Sequence, residues 1–148
     1  MFQLVTSFLL ISLLAPKVTV TSNWLRPNSE GMNTAVYAKI TNNSDKADTL
    51  YAVECDLAKV TEIHESYEEN GKTGMRKVDF IVIPAKKSVT LKPGGMHIML
   101  IKLKKDIVKG KKYSLTYKFK KAGKVKVSAV SSEKAPANDT KPKKKKNK

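Results

Sequence analysis

Met32-Asn-Thr-Ala-Val-Tyr-Ala-Lys-Ile-Thr41 alternates with a period of two, placing Ala35, Tyr37 and Lys39 on one side of an extended chain and Val36, Ala38 and Ile40 on the other. No helical stripe can be drawn through it, and Asn42-Asn-Ser-Asp45 closes it with a dense turn signal. The segment is a strand, and the same reading repeats in both directions. Upstream, Lys17-Val-Thr-Val-Thr-Ser-Asn-Trp24 alternates and is rich in β-branched residues, and Pro27–Gly31 breaks it. Downstream, strands are expected over Asp48–Leu57 and Lys59–Ser66. A further strand should start near Met75 and contain Val78–Ile83. Others are expected over Ser88–Leu91, Met96–Leu103, about Lys112–Lys120, and Lys124–Val130. The reversals between them fall at Asn70-Gly71, Pro84–Lys87, Lys92–Gly95 and Ala122-Gly123. Eight or nine short strands with frequent turns predict an all-β fold, a Greek-key β-sandwich or barrel.

The two ends of the chain read differently. Residues 1–16 carry the apolar run MFQLVTSFLLISLLA, too short to span a bilayer comfortably but of the length of a secretory signal core. A signal peptide or N-terminal anchor is expected there, although no Lys or Arg precedes the run and no A-x-A site follows it. Residues 17–130 form the predicted domain. Residues 131–148 lack bulky hydrophobes and end in Lys-Pro-Lys-Lys-Lys-Lys-Asn-Lys148, the composition of a disordered tail.

With 148 residues and 41% hydrophobic content, one domain can bury a real core. Lys and Arg number 29 against 13 Asp and Glu, a formal charge of +16, yet only Arg26 and Arg76 are arginine. Base recognition favours arginine and exposed aromatic platforms. A generally cationic surface is therefore preferred over nucleic-acid binding, and the tail is a candidate for contact with anionic lipid. Cys55 stands alone in a hydrophobic run, so it offers neither a disulfide nor a CxxC site, and a buried structural thiol is expected.

Both histidines and two of the five methionines fall in one window with the spacing H-x10-M-x21-H-x-M, through His64, Met75, His97 and Met99. Thioether sulfur is a soft donor and neutral imidazole a borderline one, a set suited to monovalent copper. His97 and Met99 share a strand face, while His64 and Met75 flank the Asn70-Gly71 reversal. Two locally assembled pairs need one contact to become a pocket. Taken alone, the same residues also fit core filling and a surface imidazole. No nucleophile–base–acid set, phosphate loop or paired carboxylate supports an enzyme, and none is expected.

The spacing, together with Trp24-Leu-Arg-Pro27, Met32–Tyr37, Glu62-Ile-His64, Gly74-Met75-Arg76 and Leu91-Lys-Pro-Gly-Gly-Met-His-Ile-Met-Leu100, resembles the periplasmic copper chaperones of the PCuAC family. The likeness runs from about Val18 to Val130. It implies a cupredoxin-like sandwich carrying one Cu(I) per chain on His64, Met75, His97 and Met99, in a periplasmic or otherwise extracytoplasmic monomer. It also implies delivery to cytochrome c oxidase subunit II or another copper acceptor, alongside a Sco-type protein in some relatives. Some relatives carry a His- and Met-rich extension, whereas this tail has lysines, so a single soft site is expected. Met96 and Met32 are expected to support that site and not to ligate. The alternative is a cationic β-sandwich that binds an acidic protein or anionic membrane without metal.

Overall fold

The computed structural model describes residues 14–136; the apolar run to residue 13 and the lysine tail from 137 lie outside the described residues. Ten strands follow one another: β1 (Val18–Leu25), β2 (Thr34–Asn42), β3 (Asp48–Glu54), β4 (Ala58–Glu69), β5 (Lys72–Val78), β6 (Ile81–Ile83), β7 (Ser88–Leu91), β8 (Met96–Leu103), β9 (Lys112–Phe119) and β10 (Gly123–Ser131). The expected all-β fold is present. The hydrogen-bonded order is β5-β4-β8-β2-β1-β10-β9-β3-β6, with β7 extending the pairing of β2. The parallel step from β1 to β10 at Trp24 and Leu25 is the corner at which one layer passes into the other.

Inward side chains of both layers make a single core. Val36, Ala38 and Ile40 of β2 and Ile98 and Leu100 of β8 meet Leu50, Leu115, Tyr117 and Phe119 from the second layer, all buried. Burial of this apolar surface is what holds two sheets together, since neither layer could shield its inner face alone.

Two departures from the expected strands have clear causes. The strand anticipated from Met75 through Ile83 is two strands. Asp79 and Phe80 interrupt it, β5 pairing with β4 and β6 with β3 in the other layer. In β1 the alternation breaks. Thr21 lies opposite Lys39 but Trp24 opposite Tyr37, so one extra residue is accommodated at Ser22, whose φ is 51°. Val18 and Val20 point inward before this bulge and Leu25 after it, which leaves Trp24 on the outer face. Cys55 is half-buried, its sulfur 3.6 Å from the Thr61 hydroxyl, and packs only at the core's margin.

Asp48 closes the end of the second layer. Its Oδ1 accepts from the backbone N–H groups of Thr49 (2.7 Å) and Lys121 (2.9 Å), and Oδ2 from Ala122 (2.8 Å). Burial would push this carboxyl up, but the three N–H donors and the Lys121 charge outweigh it and hold the group below its ordinary value. Asp48→Asn should cost about 2–3 kcal/mol, because an amide N–H₂ would face a backbone donor. The contribution is complete above the ordinary aspartate value of about 3.9 and is lost as pH falls through the lower, folded value. Thermal unfolding followed by circular dichroism should therefore show an acid-dependent loss of Tm in the native chain that is smaller in the variant.

Candidate metal centre

β4 and β5 form a hairpin whose turn residues, Asn70 (φ 51°) and Gly71 (φ 74°), both occupy the left-handed region that a two-residue reversal demands. β4 then pairs along its other edge with β8, and in that register His64 lies directly opposite His97. Opposed residues of an antiparallel pair share a face. Met99, two residues beyond His97, and Ser66, two beyond His64, therefore join that face, as does Met75, the partner of Ser66 across the hairpin. The four residues picked out by spacing thus lie on three adjacent strands and on the outer face of one sheet. The contact between the two pairs is a continuous backbone ladder.

The imidazole centroids are 5.9 Å apart, and the row continues through Tyr37 (6.3 Å from His97) to Trp24 (4.6 Å from Tyr37). His97 is 2% exposed, although a histidine near a strand start would ordinarily be a surface residue. Met75, His97 and Met99 line a cleft of about 360 Å³ with Arg26, Tyr37 and Pro93. His64 is not part of its wall and sits beside His97. Met75 is 59% exposed, so one side of the site is open to solvent.

Each imidazole spends one nitrogen on the protein. His64 Nε2 lies 2.7 Å from Glu62 Oε2, and a carboxylate can only accept, so Nε2 carries the proton. His97 Nδ1 lies 3.1 Å from the Gly95 carbonyl oxygen and donates to it. The remaining nitrogens, His64 Nδ1 and His97 Nε2, are buried and make no hydrogen bond within the protein. They are lone pairs already withdrawn from water, the state in which imidazole binds metal. The hydrogen bond from His64, with Lys77 at 3.6 Å, keeps the Glu62 carboxyl below its usual range. Burial pushes the His97 imidazole down, and the nearby His64 acts in the same direction, against the Gly95 hydrogen bond. Among the described residues no three His, Cys, Asp or Glu side chains gather at one point. Any further donors at this place are the two thioethers, which suit a soft monovalent ion and not a hard cation.

Met96 is half-buried against the core, on the opposite face from His97, as alternation requires. Met32 is 54% exposed and lines no part of the cleft, so the supporting role expected of it is not found. Glu62, the Gly95 carbonyl and Tyr37 are neighbours of the histidines that the spacing does not mark, and Trp24 stands behind Tyr37. Glu62 alone had a legible signal, being two residues before His64 on a strand.

The family profile "LpqE-like: Putative lipoprotein LpqE-like" matches residues 18–131. The chain belongs to this family. "Putative lipoprotein Lxx21020" of Leifsonia xyli subsp. xyli (strain CTCB07) is 31% identical over 106 residues, which are 71% of this chain and 63% of that protein. "Uncharacterized protein RP573" of Rickettsia prowazekii (strain Madrid E) is 34% identical over 101 residues, 65% and 56% of the two chains. The match thus spans less than two thirds of either relative. Among solved structures, the "Copper-bound PCuAC domain from PmoF2" is 28% identical with a TM-score of 0.67, covering 81% of this chain and 94% of that one. The "Solution structure of CuI-DR1885 from Deinococcus Radiodurans" is 28% identical with a TM-score of 0.59, covering 76% and 77%. The PCuAC resemblance and the cupredoxin-like architecture are thereby established for this LpqE-like chain.

The two hydrogen bonds impose opposite tautomers, which ¹H–¹⁵N correlation spectra of the rings can read near neutral pH. His64 should appear as the Nε2–H form and His97 as the Nδ1–H form. Glu62→Ala should let His64 populate both tautomers while leaving His97 unchanged; a His64 that stays in one form would contradict the assignment.

Proposed function

We propose that this LpqE-like protein is a Cu(I) carrier that holds one ion on His64, Met75, His97 and Met99 and surrenders it to a copper-requiring acceptor. The observation that carries the reading is the pair of buried, unpartnered lone pairs, His64 Nδ1 and His97 Nε2, set side by side with two thioethers on the same face. The copper-bound and CuI states named for the two structural relatives support it. Copper is cargo here, and the geometry suits cargo. His97 is enclosed and Met75 is open, so an acceptor's donor group can approach from the Met75 side while the imidazoles keep their hold.

The reading extends to an extracytoplasmic setting, supported by the apolar residues 1–15 and by the lipoprotein name of the family. In such a setting thiol pairs oxidise, whereas thioethers remain neutral donors and imidazoles need only stay unprotonated. The dinuclear copper centre of cytochrome c oxidase subunit II, with or without a Sco-type partner, is the acceptor the family resemblance suggests. The proposal includes no catalytic step.

Anaerobic titration with Cu(I) against a chromophoric chelator tests the ligand set. The native chain should take up one equivalent, and His97→Ala and Met99→Ala should each weaken binding about 100-fold or more, beyond the roughly 10–100-fold typical of residues that merely orient a ligand. Unchanged affinity after replacing all four residues by Ala would sink the proposal.

Protons compete for the same lone pairs, so affinity should be level above about pH 7 and decline as pH falls through the ordinary histidine value of about 6.5. Burial holds His97 neutral to lower pH than a free imidazole, so loss at that ligand should lag behind free imidazole. A copper affinity that rises on acidification would exclude imidazole ligation.

A further inference from the structure

The end of the sandwich where the chain enters β1 is a cluster of lysine-bearing loops tied to one another. Asn43 Nδ2 donates to the Pro16 carbonyl and the Asn43 backbone N–H to that of Lys17. The buried Asn42 donates through its amide to the carbonyls of Lys46 (2.8 Å) and Ile83 (3.0 Å), and its N–H to that of Lys87. Asp48 holds the N–H groups of Lys121 and Ala122, and Lys120 donates its N–H to Thr49. Three loops and the entry segment are thus fixed together through two buried polar side chains. Their protruding groups are Lys17, Lys46, Lys86, Lys87, Lys120 and Lys121, all exposed.

The acids carried by these loops are Asp45 and Asp48. Asp45 pairs with Lys86 at 3.4 Å, and Asp48 is buried against backbone donors. Six positive charges against two leave +4 on one small surface. Neither arginine lies there. Arg26 stacks over Tyr37 at 5.6 Å and Arg76 bonds Glu65 at 2.5 Å, both beside the candidate metal centre. The apolar residues 1–15 join the fold at this same end, immediately before Pro16 and Lys17.

We propose that this lysine end is a docking surface for an anionic phospholipid membrane. Ammonium groups are compact, well-hydrated point charges that follow a diffuse surface potential, whereas base or phosphate recognition would favour forked arginines. An apolar segment leaving from the centre of the lysines would bring lipid to this end and not to another. Along β2, Tyr37 is five residues from Asn42, or about 17 Å at the rise of an extended strand. Docked this way, His64, His97 and Met99 stand back from the head groups. The inference does not depend on copper.

Flotation of the full chain on phosphatidylcholine vesicles, against vesicles with about one-third phosphatidylglycerol, tests it at low salt. Residues 1–15 would contribute equally to both, so the quantity read is the preference for the anionic vesicles. The combined variant Lys46→Gln, Lys87→Gln, Lys120→Gln and Lys121→Gln should lose about tenfold or more of that preference. Replacing Lys141, Lys143, Lys144, Lys145, Lys146 and Lys148 by Gln should remove a smaller share.

A larger loss in the tail variant, no preference in the native chain, or equally tight binding of duplex DNA by the same four lysines would each overturn the proposal. Should the fourfold variant fail to fold, nitroxide-labelled lipid gives an independent reading on the native chain. Amides of Lys46, Lys87 and Lys121 should broaden while those of His97 and Met99 do not, and the reverse pattern would refute the docking.

Discussion

The backbone ladder between β4 and β8 is the constraint from which the site follows. It runs from Ala58 opposite Leu103 to Glu65 opposite Met96, and so fixes His64 against His97 with no choice left to the side chains. A slip of one residue would turn every outer side chain of one strand inward and break the pair. The hydrophobic pattern guards against that slip, because Ile63, Ile98 and Leu100 are all buried on the inner face. The apolar core and the polar constellation are therefore two faces of one register.

Specialisation within that register comes from backbone groups and one carboxylate. Glu62 and the Gly95 carbonyl take the protonated nitrogen of His64 and His97 respectively, and the other nitrogen of each ring is left buried without a partner. Burying an unpaired polar atom ordinarily costs stability. Asn23 Nδ2 and Ser131 Oγ are also buried without a partner, but His64 and His97 are the two that stand opposite each other, on the face that also carries two thioethers. Asn42 and Asp48, by contrast, spend their buried polar atoms on backbone groups of the neighbouring loops.

Much of this was legible in the residues. Alternation located strands from Lys17 to Val130, and β8 agrees with its expected bounds at both ends, because Gly94-Gly95 and the apolar run frame it sharply. Asn70-Gly71 announced the hairpin. The interruption at Asp79-Phe80 was not legible, since Val78 and Ile81 read as one apolar run until their partners lie in different layers. Nor was the burial of His97, which arises from Tyr37 on a neighbouring strand and the Pro93 loop, both placed by tertiary pairing. The PCuAC likeness carried the four spaced residues as a group, while local spacing alone left them open to a packing explanation.

The bulge in β1 governs which changes of length this sequence can absorb. Ser22 is the one residue by which β1 exceeds its partner between Thr21 and Trp24. Flattening the bulge with Ser22 retained would restore unbroken alternation, carry Trp24 into the space now filled by Leu25, and push Leu25 to the surface. The aromatic row would lose its outermost ring, and with it the support behind Tyr37. Loss of the extra residue together with the bulge keeps Trp24 opposite Tyr37, whereas loss of either one alone inverts the end of the strand. The left-handed turn at Ser22 is what keeps a strand one residue too long in the reading frame of its partner.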